Sequence, residues 1–241
     1  MEIADRLAAE LAGCARGTRV ASENEISTRF GVGRAASRAA LQELERRMVV
    51  RRVQGAGTFV NQRIDYVISR SRPPSWTTTV TAAGATPRAH VKAVDRVALS
   101  ADLAARLGRP AGTPAYRVAR HFYIDDLLAS RIHEWVPVDL VPDLDLALHA
   151  VESLDLVLRQ MGRVNPVRAW CRVSLDVAPP DVLAALGVEA STPLWLVESV
   201  SRDCASDRAL MCSSAWTRGD AVRVVVELDE TVLPTDLKEQ Q

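Results

Sequence analysis

The stretch that decides the fold of the N-terminal region is ASENEISTRFGVGRAASRAALQELERRMVV, residues 21–50. Ser22 and Glu25, three residues apart, form a capping-box pattern and predict a helix over residues 23–30 that ends at Gly31. Apolar residues at helical spacing predict a second helix over residues 34–47. Two short helices separated by a tight glycine turn are typical of a helix-turn-helix.

The flanking residues extend this pattern on both sides. Ile3, Leu7 and Leu11 recur at every fourth position and predict a further amphipathic helix before the pair. The β-rich runs 49–53 and 58–60 enclose a glycine-containing turn and predict a hairpin. Three helices followed by a hairpin indicate a winged helix-turn-helix, which we place in residues 1–61.

Charge supports a nucleic-acid partner for this region. The whole chain has a formal net charge of zero, but residues 1–63 carry eleven arginines against seven acidic residues. Arg34 and Arg38 share one face at the start of the third helix, where base edges are read in the major groove. Four further arginines are placed for phosphate contacts: Arg46, Arg47, Arg51 and Arg52. The alternative is that these side chains only solvate an exposed surface.

The rest of the chain predicts a linker and a larger domain. Residues 62–75, QRIDYVISRSRPPS, are polar and lack periodicity, so we predict a linker. Beyond it, a unit of one short helix, a glycine and Thr-Pro occurs twice, at residues 101–114 and 180–193. Each copy leads into a strand, which predicts a pseudo-symmetric α+β domain with one antiparallel sheet. The predicted strands are 91–99, 115–123, 131–136, 169–177, 194–202 and 222–228, with helices near 145–149 and 153–161.

Several classes of protein are disfavoured. The four cysteines and four histidines are scattered, without the spacing of a metal, redox or nucleophile motif, so we expect no metal, no cofactor and no catalytic residues. No apolar run is long enough to span a membrane, and the N-terminus lacks a secretory segment. We therefore expect a cytoplasmic protein with no membrane partner.

The first sixty residues resemble the GntR superfamily of bacterial regulators. The residues that carry the resemblance are Gly13, Gly17, Ser22-Glu23, Glu25, Phe30-Gly31-Val32, Arg34, Arg38, Ala40-Leu41, Leu44-Glu45 and Gly55-Ala56-Gly57-Thr58-Phe59-Val60. The resemblance implies that the third helix and the wing bind DNA, and we assign that surface to Ser22, Asn24, Arg34, Ser37, Arg38, Arg51, Gly55 and Gly57. The chain departs from the family pattern at Ala21, Asn24, Gly33 and Ser37.

Residues 76–234 resemble the UTRA effector-binding domain of the HutC subfamily. The resemblance rests on the two repeated units, on Asp125-Asp126, on Pro137 and on Arg218-Gly219-Asp220. It implies a chorismate-lyase-like antiparallel sheet that senses a small molecule and carries the dimer contact. By the same resemblance the effector site includes Arg120, Phe122, Ser214 and Trp216, and we expect at least one of Arg168 and Arg172, on the strand before the second repeat, to face the same ligand. The alternative for Arg120 is that it faces solvent or pairs with an acid.

We expect the effector to be anionic. Burying arginine is costly unless a partner is supplied, and the acid-poor stretch 165–174 offers none to Arg168 or Arg172. The sequence thus indicates a regulator, and we expect a repressor that binds an inverted-repeat operator as a homodimer. The alternatives are a binding module with a degenerate DNA-binding domain and, on fold analogy alone, a lyase-like enzyme.

Overall fold

The computed structural model describes residues 2–53, 55–69 and 75–227. These residues form two compact units, with the division between Arg63 and Ile64. Gln54 of the predicted wing turn, the pair Pro73-Pro74 of the predicted linker and residues 228–234 of the predicted effector domain lie outside the described residues.

The N-terminal unit is a winged helix-turn-helix, as the sequence predicts. Its elements are α1 (Glu2–Leu11), α2 (Glu23–Phe30), α3 (Arg34–Arg46), β1 (Val50–Val53) and β2 (Gly57–Val60). The capping box at Ser22 is formed in both directions, and Gly31 ends α2 in the left-handed conformation, with φ at 64°. Ile26 and Leu44 are fully buried between the helices, so the core lies behind the exposed face of α3.

The C-terminal unit is built on a six-stranded antiparallel sheet. Its elements are β3 (Ile64–Ile68), α4 (Trp76–Ala82), β4 (Pro87–Ala98), α5 (Ala101–Arg106), β5 (Pro114–Ile124), β6 (Leu127–Pro137), α6 (Leu144–Ala150), α7 (Leu154–Gln160), β7 (Pro166–Leu175), α8 (Pro180–Leu186), β8 (Leu194–Asp203), β9 (Ala209–Arg218) and β10 (Val222–Val226). The strand order β4-β5-β6-β9-β8-β7 places two three-stranded halves side by side. The repeat is therefore confirmed as a pseudo-symmetric sheet.

Helices cover both faces of this sheet. On one face α6 and α7 pack against Tyr116, Val118 and Val136. On the other face the two repeated helices pack, α5 against Val200 and Cys212, and α8 against Leu194 and Trp216. The α6–α7 face leaves room beside its helices for a cavity.

The predicted linker and the predicted last strand are both corrected. Residues 64–68 form the strand β3, and β10 pairs with it in parallel as a separate two-stranded sheet instead of extending the large one. Ile64, Val222 and Val80 are buried together, which supplies the apolar contacts that a free linker would lack. The sequence predicted a linker here because β3 is only five residues long and is flanked by polar residues.

Candidate functional site

The exposed face of α3 carries the two arginines predicted to read DNA. Arg34 is exposed in the first turn and makes no hydrogen bond or ion pair with any described residue. Gly33 caps the helix without a side-chain hydrogen bond, so the first backbone N–H groups stay open to an external acceptor. Such a helix start attracts a phosphate or a base edge.

Arg38 is exposed but already engaged. Its Nε donates to Glu23 Oε1 at 3.2 Å and its Nη2 donates to Oε2 at the same distance. The hydrogen bond from Arg38 lowers the pKa of the Glu23 carboxyl, which keeps this acid charged. Glu23 therefore orients the guanidinium on the exposed face of α3.

Three of the predicted DNA-binding residues support the α2–α3 geometry. Ser37 is wrong as a contact, because it is fully buried and its hydroxyl donates to the Gly33 carbonyl oxygen at 3.5 Å. Ser22 is exposed, but its hydroxyl oxygen accepts the Glu25 N–H of the capping box. Asn24 is exposed, and its backbone carbonyl oxygen accepts from the Thr28 hydroxyl at 3.0 Å.

The wing brings a further arginine beside the predicted ones. Gly55 and Gly57 have φ of 76° and 123°, conformations that favour glycine at the turn between β1 and β2. Arg51 is half-buried on β1. Arg19, which the sequence analysis missed, is exposed and forms a β-bridge with Phe59. Its guanidinium lies 3.6 Å from the position of a Cβ built on Gly57, so it belongs to the wing surface. Only the three-dimensional pairing reveals it.

A cavity of about 310 Å³ opens on the α6–α7 face of the C-terminal sheet. Its floor is the sheet, and its walls are α7, α4 and the β3–β10 pair. Four hydroxyl side chains line the floor in two hydrogen-bonded pairs, Ser130 with Thr217 and Ser199 with Ser213, each 2.8 Å apart. A concave site with an apolar wall and a few polar groups is the usual form of a small-molecule site.

Arg120 and Phe122 line this cavity, as predicted. Arg120 pairs with an acid, which is the alternative to a free anion-binding arginine. Its Nε and Nη2 donate to both carboxylate oxygens of Glu134, at 2.7 and 2.5 Å, and its Nη1 donates to the Glu152 carbonyl oxygen. Only 7% of the Arg120 side chain and 5% of the Glu134 side chain are exposed. Arg120 is therefore neutralised inside the protein.

Arg168 lines the same cavity and has no acidic partner among the described residues. Its Nη2 donates to Tyr66 Oη at 2.6 Å, and its guanidinium carbon lies 5.4 Å from the centre of the tyrosine ring. Its Nε is buried and has no hydrogen-bond partner in the described part of the chain. Asp155, another lining residue, has an Oδ1 that is likewise buried and without a hydrogen-bond partner among the described residues. Both residues line the cavity, and each keeps one buried polar atom without a partner in the part of the chain that the structure describes.

Three predicted effector residues lie elsewhere. Ser214 and Trp216 alternate with the lining residues of β9, and a β-bulge between Arg168 and Trp170 reverses the alternation before Arg172 on β7. On β9 the cavity is lined by Ser213, Ala215 and Thr217, so Ser214 and Trp216 point to the other face. Trp216 packs there against the α8 cluster.

Arg172 is also outside the cavity. It is 56% exposed, and its Nε donates to Glu198 Oε2 at 2.7 Å. Arg106, from α5, donates to the other oxygen of that carboxylate at 3.1 Å. The expectation that Arg172 lacks an internal partner is therefore wrong.

An aromatic wall completes the cavity and was only half predicted. Phe122 stacks on Trp76 of α4, with ring centres 5.3 Å apart. The Trp76 indole N–H donates to the Tyr123 carbonyl oxygen at 3.0 Å, which fixes the ring. The Arg120 guanidinium lies 4.7 Å from the centre of the Phe122 ring. Trp76 and Tyr66 carried no sequence signal, since Tyr66 lies within the predicted linker and Trp76 directly follows it.

Comparison with known proteins assigns both units. The GntR family of bacterial regulatory proteins matches residues 2–60, and the UTRA domain family matches residues 82–223. The chain is a GntR-family transcription regulator with a UTRA effector domain. Regulators of this family bind DNA operators, and UTRA domains bind small-molecule effectors.

Similar proteins bear the names of regulators. The GntR regulator is 26% identical over 211 residues to the HTH-type transcriptional regulator GgaR of Escherichia coli K12, covering 88% of this chain and 82% of GgaR. It is 24% identical over 219 residues to a probable fructoselysine utilization operon transcriptional repressor of the same strain, covering 88% and 86%. In fold it resembles PhnF from Mycobacterium smegmatis, with a TM-score of 0.65 at 24% identity over 95% of this chain and 99% of PhnF.

The comparisons also decide the question of catalysis. The similar proteins and structures are transcription regulators, so the regulator is not an enzyme. In the described residues no group of histidine, cysteine and acidic side chains is placed to hold a metal ion. No helix among them is long and apolar enough to cross a membrane.

Proposed function

We propose that the protein is a cytoplasmic repressor that binds an inverted-repeat operator as a homodimer and responds to a small anionic metabolite in the UTRA cavity. The observation that carries the effector part is Arg168, whose Nε is buried without a partner and whose charge meets no acid in the described structure. An effector carboxylate or phosphate would supply the missing hydrogen-bond acceptor and the missing negative charge, because a guanidinium can donate two parallel hydrogen bonds to such a group.

The lining favours a polar molecule with one negative group. The hydroxyl floor and the free Asp155 Oδ1 suit hydroxyl or amine donors on the ligand. The Trp76–Phe122 wall suits an apolar or sugar-like face. Arg120 is a wall of the site and not its anion receptor, because Glu134 already holds it.

The test of the effector part uses two arginines on one strand. A metabolite screen by thermal shift identifies the effector, since a ligand at a hundred times its Kd adds about 2.7 kcal/mol to stability. Calorimetry then compares Arg168→Gln with Arg172→Gln, which removes the same charge from the same strand outside the cavity. We expect Arg168→Gln to weaken binding about tenfold to a hundredfold and Arg172→Gln to leave it unchanged. A neutral cognate effector, or equal losses in both variants, contradicts the proposal.

The regulator part is tested by a mobility shift with DNA upstream of the protein's own gene. We expect preference for that DNA over a scrambled duplex, and its loss on addition of the effector. Equal binding to both duplexes would favour the alternative, a sensor whose DNA-binding domain has degenerated.

The dimer is tested by sedimentation of the full chain at micromolar concentration. One winged helix offers little contact with DNA, and two-fold symmetry doubles it. We therefore expect twice the 26.3 kDa chain mass. A monomer that binds the operator with full affinity argues against the inverted-repeat model.

A further inference from the structure

Tyr66 links the effector cavity to the segment that leaves the DNA-binding unit. It lies on β3, which begins at Ile64, the first residue of the C-terminal unit. In the β3–β10 register it stands opposite Val224, and both residues line the cavity. One cavity wall is therefore the strand that continues directly from the winged helix-turn-helix.

The contact that holds this tyrosine is one that an anion would compete for. Tyr66 Oη accepts from Arg168 Nη2 at 2.6 Å, and no other hydrogen bond of its hydroxyl occurs in the described structure. A neutral phenol oxygen is a weaker acceptor for guanidinium than a carboxylate or phosphate oxygen, because the latter bond is assisted by charge. An anion that claims Arg168 would leave the Tyr66 hydroxyl without its partner.

We propose that Tyr66 is the residue that couples effector binding to β3: it holds Arg168 in the free protein and loses it to the effector's anionic group. The proposal rests on the anion site proposed above and adds the contact through which an anion bound there changes β3. The β3–β10 sheet has two strands only, and two-stranded sheets are marginally stable unless packing supports them. Loss of the Tyr66–Arg168 contact thus loosens the strand that leads to the DNA-binding unit.

The coupling has a thermodynamic consequence that separates Tyr66 from a mere lining residue. If the hydroxyl competes with the anion for Arg168, its removal strengthens anion binding and abolishes the effect of binding on β3. A residue that only shapes the cavity would weaken binding or leave it unchanged. Tyr66→Phe makes the distinction, because the ring and its contact with the guanidinium are kept.

The experiment uses the full-length protein with ¹⁵N-labelled arginine and ¹³Cζ-labelled tyrosine, and sodium acetate or inorganic phosphate as the probe at constant ionic strength. Three tyrosines give three signals, and Arg168→Lys assigns the Arg168 Nε–H resonance. We expect either anion to shift the Arg168 and Tyr66 signals together. Arg120 should not respond.

Two variants and one exchange measurement complete the test. Tyr66→Phe should bind the anion roughly two- to tenfold more tightly, the effect of removing one competing hydrogen bond. Tyr123→Phe, a tyrosine outside the cavity lining, is the matched control and should behave as wild type. Amide hydrogen exchange over residues 64–68 should speed up with anion in the wild type and should be fast and anion-independent in Tyr66→Phe.

The outcomes separate the coupling from the proposed function. A shift of Arg168 with no change at Tyr66 or in β3 exchange overturns the coupling and leaves the anion site standing. No response of Arg168 to either anion overturns both the coupling and the anion site. Neither result affects the expected preference for the upstream DNA over a scrambled duplex, which does not involve the cavity.

Discussion

Two arginine–glutamate pairs, one in each unit, have the same chemistry and opposite uses. Arg38 and Glu23 lie on the surface of the winged helix-turn-helix, with 61% and 28% of their side chains exposed and 3.2 Å between them. Arg120 and Glu134 lie under the effector cavity, with 7% and 5% exposed and 2.5 Å between them. Water screens the first pair and can replace either partner, whereas the second pair has no replacement.

The difference teaches which arginines are free to bind. An exposed arginine can exchange an acid for a DNA base at little cost, because solvent compensates the acid left behind. A buried arginine that already has its carboxylate is part of the structure. A half-buried arginine without an acid, such as Arg168 with its buried Nε, invites a ligand. The positions of arginines in a sequence do not distinguish these cases.

The largest expected effect is the loss of stability when the buried Arg120–Glu134 pair is broken. Glu134→Ala leaves the Arg120 guanidinium buried without its carboxylate, and removing one partner of a buried pair costs about 3–5 kcal/mol. Urea unfolding should show this loss. The double variant Arg120→Met/Glu134→Leu should recover most of it, because apolar residues of similar volume replace the pair without an orphan charge. A single variant as stable as wild type would mean that cavity water solvates Arg120.

The second expected effect is a loss of affinity for operator DNA. Arg34→Ala and Arg38→Ala should each weaken specific binding by about 1–3 kcal/mol and relax discrimination at one base pair. Arg29→Ala is the matched control, since it removes an exposed arginine paired to an acid, Glu10, away from α3. Melting temperatures should scarcely change in any of the three. Operator affinity unaffected in both α3 variants would show that another surface reads the DNA.

These effects also show what the sequence could predict. The capping box at Ser22, the glycine turn at Gly31 and the helix periods are local signals, so α2 and α3 were predicted nearly to the residue. The repeat predicted the two halves of the sheet for the same reason.

The effector cavity depended on information that is not local. Ser214 and Trp216 were assigned by resemblance, yet a shift of one residue along a strand reverses the face. The partners of Arg120 and Arg172 come from other strands, since Glu134 is on β6 and Glu198 is on β8. Tyr66 became visible only when β3 was found to pair with β10 across the length of the domain.

The smallest expected effect is a difference in reactivity between a buried and an exposed cysteine. Cys212 is buried on β9 and Cys204 is exposed. Burial raises the pKa of the Cys212 thiol from its ordinary value near 9 to about 11. A thiol reagent at pH 8 should therefore modify Cys204 in the native protein and reach Cys212 only after unfolding, because the thiolate is the reactive form.

The same shift has a sign that stability measurements can check. Above pH 9 the unfolded chain releases the Cys212 proton while the folded protein retains it up to about pH 11, so this thiol makes stability fall as pH rises through that window. The loss should be on the order of 1 kcal/mol at pH 10. The informative quantity is the difference in this decline between variants. Cys212→Ala should flatten the decline between pH 9 and 11, whereas Cys204→Ala should leave it as in wild type. Identical slopes in the two variants would mean that the Cys212 thiol ionises in the folded protein as readily as in the unfolded chain.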